Sequence, residues 1–194
     1  SILLHREASK RLSPLAALLV GAAYLFNPAV ICNSSHWGQV DSVFTLALLS
    51  MCLALISGNL SRSYIAYGAA LLLKPQALLF APVILLAFLD QTVFNGFSSG
   101  KFFRELGKIG LTVLGMLLLC LPFGLGNVFS QYFSTVGSYP YASVGAYNLW
   151  TLAGQNWVSQ DNLFLGIPFR AWGTLMILLA VAGVVLLSFR HKND

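Results

Sequence analysis

The chain has 194 residues, of which 57% are hydrophobic and only 9% charged, and its formal net charge is +5. Soluble domains average about 25% charged residues, so this composition cannot cover a globule in polar surface and excludes a soluble fold. The surplus bases sit beside apolar runs, which points to membrane topology rather than to nucleic-acid binding.

In chain order, His5, Arg6, Lys10 and Arg11 precede a first apolar span at about 14–31. A polar-aromatic loop, Asn33 to Gln39, leads to a second span at 42–57. Gly58-Asn59 and Ser61-Arg62-Ser63 read as a turn. Residues 64–89 are apolar except at Lys74-Pro75-Gln76. A polar stretch with Lys101, Arg104 and Lys108 precedes a span at 109–125. An aromatic-rich loop covers 126–170, in which Gln131-Tyr132-Phe133 suggests a short amphipathic surface helix. A last span at 171–189 ends on Arg190, His191 and Lys192. Cys32, Cys52 and Cys120 are scattered and suggest neither a disulfide framework nor a metal site. The chain opens on Ser1 without a secretory signal, and the expectation is a single transmembrane domain, 1–194, from a larger multi-span protein.

The segment 64–89 admits two readings: one helix kinked at Pro75, or a broken hairpin with both ends on one side. The hairpin places nine of the eleven bases on the cytoplasmic face, namely Arg6, Lys10, Arg11, Arg62, Lys101, Arg104, Lys108, Arg190 and Lys192. A single crossing divides them between the two faces, so the positive-inside rule favours the hairpin. Its first arm, Tyr64 to Leu73, would reach only about 15 Å at 1.5 Å per residue, half of a hydrocarbon core about 30 Å thick. Irregular backbone at that depth is tolerated where it is buried in protein or lines a wet cavity, so the hairpin predicts a cavity open to the outer face. The expected fold is all-α, a polytopic membrane helix bundle with a broken helical hairpin and an aromatic-rich outer loop.

Three clusters could carry chemistry. A lysine near the bilayer centre costs about 2.5–3.5 kcal/mol on insertion scales. Lys74 therefore either snorkels to the interface or directs its ammonium at an anion such as a lipid phosphate, with Gln76 as a neutral donor. His36, Gln39 and Asp41 lie at the outer start of the second span, as rim groups of the cavity. In the blander reading Trp37 joins the interfacial aromatic belt and Asp41 caps a helix beginning at Ser42. Tyr139, Tyr141, Tyr147, Asn148 and Trp150 combine flat rings with polar groups, which suits a sugar and equally suits a loop dipping into headgroups. No cluster of metal-ligand type stands out beyond the pair His36 and Asp41, and neither a tight metal site nor a cofactor is expected.

The segments Asn27-Pro28-Ala29-Val30-Ile31, Trp37-Gly38-Gln39-Val40-Asp41-Ser42, Lys74-Pro75-Gln76-Ala77, Tyr139-Pro140-Tyr141 and Tyr147-Asn148-Leu149-Trp150 together resemble the bacterial relatives of the GPI mannosyltransferase II family, in the GT-C class of membrane glycosyltransferases. His36…Gln39 and Lys74…Gln76 are also similar to motifs of the dolichyl-phosphate-glucose glucosyltransferases. The resemblance implies a GT-C-like fold and transfer of a hexose, such as mannose, from a polyprenyl-phosphate donor to a glycan, lipid or protein acceptor. It implies an outward-facing site in a multi-pass protein of the bacterial plasma membrane. It assigns Lys74 and Gln76 to the donor phosphate, His36, Gln39 and Asp41 to the cavity rim, and Tyr139, Tyr141, Tyr147, Asn148 and Trp150 to sugar or acceptor. The catalytic carboxylate of the class lies in a first outer loop, expected upstream of Ser1. The expected partners are membrane lipid, lipid-linked sugar and acceptor, and no nucleic acid. Two alternatives stand beside this: a transporter or flippase of lipid-linked sugars, and a non-catalytic membrane subunit.

The topology is directly testable. With the native cysteines replaced by alanine, Arg62→Cys and Arg104→Cys should both react with an impermeant maleimide from the cytoplasmic side only. Labelling from opposite sides would exclude the hairpin.

Overall fold

The computed structural model describes residues 1–36, 38–136, 138–146 and 148–190. Almost all regular structure in them is helical, and the fold is an all-α membrane bundle. Three helical segments are long and apolar enough to cross a bilayer, Pro75–Phe94, Ser99–Phe123 and Phe169–Leu187. The pair Pro14–Leu25 and Pro28–His36, bent by 41°, forms a fourth candidate. The chain is an integral multi-pass membrane protein. It divides into two compact units, Ser1–Lys74 and Pro75–Asp194.

In the first unit, α1 (Ile2–Ala8) turns back onto α2 (Pro14–Leu25). Ser13 caps α2 by accepting from the Ala16 amide at 3.3 Å, and Pro14 occupies the first helical position, where its missing N–H costs nothing. A side chain at Gly21 would bring a Cβ within 3.1 Å of the His5 Cβ, so glycine is what lets α1 lie close against α2. The same start signal recurs at Asn27-Pro28, where the Asn27 Oδ1 accepts from the Ala29 amide at 2.9 Å and opens α3 (Pro28–Ile31). This restart produces the bend, and α3 runs on into a π-helical turn, Cys32–His36.

The rest of the unit is a helical hairpin, α4 (Asp41–Ile56) and α5 (Leu60–Leu73). Its turn is specified by three residues. Gly58 takes φ +72°, the Gly58 amide donates to Leu55 and the Asn59 amide donates to Ala54, which is a Schellman closure. The Asn59 side chain then caps α5 by accepting from the Arg62 amide at 3.0 Å. Because of that cap α5 begins at Leu60, four residues before the expected start at Tyr64, and Ser61-Arg62-Ser63 forms its first turn rather than a loop. Met51, Ala54, Ser63, Tyr64, Gly68 and Ala70 are buried, and small side chains on α5 allow close helix approach. At the far end Pro75 disfavours helical geometry for the residue before it. Lys74 is accordingly extended, with φ −151° and ψ 134°, and α5 stops.

The second unit starts with a 3₁₀ segment, Pro75–Phe80, continues as α6 (Ala81–Leu89) and ends in a π turn, Asp90–Phe94. The break expected at Lys74-Pro75 is present, and the arm beyond it is a full-length candidate span of 20 residues. α7 (Ser99–Cys120) follows, and Phe88 meets Phe102 edge to face at 5.3 Å. α8 (Leu125–Val136) is amphipathic and contains the segment expected to form a surface helix. The aromatic-rich loop then folds on itself through α9 (Leu149–Leu152), a bridge between Tyr141 and Ser159, and a small antiparallel hairpin of β1 (Leu163–Phe164) and β2 (Ile167–Pro168). α10 (Phe169–Arg190) closes the chain.

The Gly58 turn sets one expectation. Gly58→Ala, which forces a Cβ into the left-handed region, should lower stability by about 1 kcal/mol in a reversible unfolding titration in mixed micelles. Gly183→Ala, in a helix with open space at its Cβ, should not.

Candidate functional site

One cluster of polar groups in the first unit lies at the open end of the α4–α5 hairpin. Lys74, held extended by Pro75, directs its Nζ to the Asp41 carboxylate, with which it forms an ion pair through Oδ1. The second carboxylate oxygen accepts from the Asn33 side-chain amide at 3.0 Å. The Gln39 Oε1 lies 3.5 Å from the same ammonium, and the Gln39 amide donates to the Asn33 carbonyl at 3.0 Å. Ser34 and Ser42 share a hydroxyl–hydroxyl bond of 2.6 Å. A π turn and a helix start are thus stapled twice, each time across eight residues, and the lysine at the end of α5 is attached to the same staple.

α4 and α5 have 16 and 14 residues, about 24 and 21 Å at 1.5 Å per residue, against a hydrocarbon core about 30 Å thick. An unpaired ammonium in a low dielectric is expensive, and the Asp41 carboxylate supplies the counter-charge of Lys74. The Lys74 side chain is 21% exposed and that of Asp41 41%, so the pair borders an opening rather than being sealed in. Asp41 is the first residue of α4 and not its cap: Val40 holds the cap position, without a side-chain bond. The carboxylate still favours the positive helix end, but its oxygens are taken by Lys74 and Asn33.

The other expected site residues are placed as follows. Gln39 and Asp41 join Lys74. His36 ends the π turn exposed, without a hydrogen bond among the described residues. Gln76 is exposed in the second unit. Tyr139 is exposed, while Tyr141 packs edge-on against Trp157 at 5.5 Å. Asn148 uses its Oδ1 to cap α9, accepting from the Thr151 amide at 3.0 Å. Trp150 packs on Phe169 at 4.9 Å and on Phe164 at 5.6 Å, and the Trp172 indole donates to the Phe164 carbonyl. These ring contacts fold the loop onto itself. Tyr147 and Trp37 lie outside the described residues. Among the described residues no three His, Cys, Asp or Glu side chains could hold a metal.

Sequence reasoning passed over Asn33, Ser34 and Ser42 as loop and span residues. The repeated eight-residue separation to Asp41 and Ser42 was the available signal. It also passed over Glu105, whose side chain is only 7% exposed on α7 and is matched by Lys108 at 2.7 Å and Arg104 at 3.8 Å.

The arrangement can neutralise a buried cation and hold two helix ends together. A double-mutant cycle should measure it. Lys74→Met and Asp41→Asn should each destabilise the chain, and the double variant should be less destabilised than their sum, with a coupling of about 1–2 kcal/mol, above the range of surface pairs. Additivity within error would mean that the two side chains do not interact.

A family model described as GPI transamidase subunit PIG-U matches residues 3–143, about three quarters of the chain. No curated protein and no solved structure matches. The family match overturns the glycosyltransferase reading and, with it, the assignment of the chain as a hexosyl-transferring enzyme. The physical ground for that reading was a buried cation awaiting a donor phosphate, and the counter-charge of Lys74 is Asp41 of the same chain.

Proposed function

The chain belongs to the family of the GPI transamidase subunit PIG-U, and on that premise we propose that it is a non-catalytic membrane subunit of a multi-subunit complex of the GPI transamidase type. The observation that carries this is the family match across both units of the fold. The packing supports it. The apolar windows of α7 and α10 bury no residue, so most of their surface is free for lipid or for helices of other subunits. The short hairpin of α4 and α5, locked at its open end, suits a rigid scaffold.

In this reading the chain acts as one membrane domain, with Arg6, Arg62 and Lys101 on the cytoplasmic side. Its partners are the other subunits of the complex rather than a polyprenyl-phosphate sugar, and its membrane is the one that houses them rather than the bacterial plasma membrane. The resemblance to GT-C enzymes is then a likeness of scaffold, with helices, a break at Lys74-Pro75 and an aromatic loop in the same order. The polar end at Gln39, Asp41 and Lys74 serves the architecture, and the loop at Tyr139, Tyr141 and Trp150 is a surface for partner or headgroup.

Affinity purification of the tagged full chain from its own membranes, followed by native electrophoresis and mass spectrometry, tests this. The chain should migrate in a complex with transamidase subunits, and its depletion should reduce GPI attachment to a reporter protein. A chain that migrates alone, with attachment unchanged on depletion, would refute the subunit reading.

A further inference from the structure

At the turn end of the α4–α5 hairpin, opposite the Lys74 cluster, the first unit forms a half-open cavity of about 540 Å³. Arg6, Lys10 and Arg11 reach it from α1 and the turn that follows, and Arg62 from the start of α5. Glu7 is the one acid on its wall, so the lining carries four positive charges and one negative, a net of +3. Lys10 at 2.6 Å and Arg6 at 3.5 Å both pair with Glu7, and the hydrogen bond from Lys10 holds the Glu7 carboxyl below its ordinary range. Arg11 and Arg62 enter no ion pair among the described residues. Two guanidiniums therefore face the cavity with no fixed counter-anion, while Leu53 and Ile56 line another part of its wall.

A second opening continues along the same helix. A groove of about 500 Å³, almost wholly apolar, is lined by Leu4, Tyr24, Val43, Leu46 and Leu49. Leu3 belongs to both walls. The basic cavity uses the last two turns of α4, from Ser50 to Ser57, and the groove uses the turns before them, from Ser42 to Leu49. A charged head and an apolar tail laid along α4 would meet the two openings in that order.

We propose that this pair of openings is a binding site for one anionic phospholipid, its phosphate held by Arg11 and Arg62 and an acyl chain lying in the groove along α4. Guanidiniums suit phosphate because their planar donors bond it in pairs. Basic pockets between membrane helices on the cytoplasmic side are the usual seat of anionic headgroups. A soluble phosphate would satisfy the bases but leave the groove unused, and a zwitterionic lipid would fill the groove but carries its own cation to the bases. The site is independent of the subunit reading, since it is built within residues 1–74 whatever the chain assembles with.

The test is native mass spectrometry of the purified full chain in mild detergent, titrated with dioleoyl phosphatidate, dioleoyl phosphatidylcholine or inorganic phosphate. Phosphatidate should be retained one per chain, more tightly than phosphatidylcholine and with little competition from inorganic phosphate. Each base near an anionic membrane surface contributes about fivefold, so Arg11→Gln with Arg62→Gln should weaken retention about 25-fold, whereas Arg104→Gln, outside the cavity, should not. In the unaltered protein, retention should fall as salt rises, which tests the bases even if the double variant does not fold. Leu46→Trp, which fills the groove, should also weaken retention. Retention indifferent to both arginines or to salt would overturn the proposal. So would equal retention of phosphatidylcholine, equal competition by inorganic phosphate, or no effect of Leu46→Trp.

Discussion

The ion pair between Lys74 and Asp41 organises the first unit, and the residue beside the lysine sets its geometry. Pro75 disfavours helical geometry at Lys74, so α5 ends at Leu73 and the side chain that follows reaches across to Asp41 at the start of α4. A proline thereby ends a helix, and the same event brings a cation to its counter-charge. The hairpin gains a closed second end: Gly58 and Asn59 shape one end by backbone geometry, and Asp41, Lys74 and Asn33 close the other by charge. Irregular backbone within a membrane must find its partners inside the protein, and these contacts supply partners at each end of the hairpin.

The division of labour along the hairpin follows from the same constraint. Its turn end carries Arg62 and faces the bases of α1, with charge that exceeds the available acids. Its open end is charge-matched one to one. A surplus of positive charge is tolerable at a membrane surface, where anionic headgroups and salt screen it, and is intolerable at depth. Arg62 and Lys74, 12 residues apart at the two ends of α5, are treated unequally: Lys74 has its counter-charge in Asp41, and Arg62 enters no ion pair among the described residues.

Much of this was legible in the residues. The break at Lys74-Pro75, the first helix start at Pro14 and the amphipathic stretch around Gln131-Tyr132-Phe133 all rest on local stereochemistry or local pattern, and each is present, whereas the span expected to run unbroken over 14–31 is interrupted where Asn27-Pro28 opens a new helix. The start of α5 was misplaced because Ser61, Arg62 and Ser63 read as turn residues, whereas the Asn59 cap makes them a first helical turn. Asp41 was recognised as a helix-start residue, but its pairing with Lys74, 33 residues away, is a tertiary fact that no local rule supplies. The aromatic loop misled for a related reason. Tyr and Trp beside Asn have the composition of a sugar site, yet Trp150 and Asn148 are committed to ring packing and to a helix cap. Composition reports what a side chain can bind; only the fold reports what has already bound it.

The account stands or falls on whether the charge pair holds the open end of the hairpin shut. Spin labels introduced by Val43→Cys and Leu72→Cys, at exposed positions near the ends of α4 and α5, report that separation by electron–electron double resonance in lipid nanodiscs. A single narrow distance distribution that broadens markedly on Lys74→Met is the predicted result. A distribution of the same width and position with and without the lysine would show that the helix ends are held by something else.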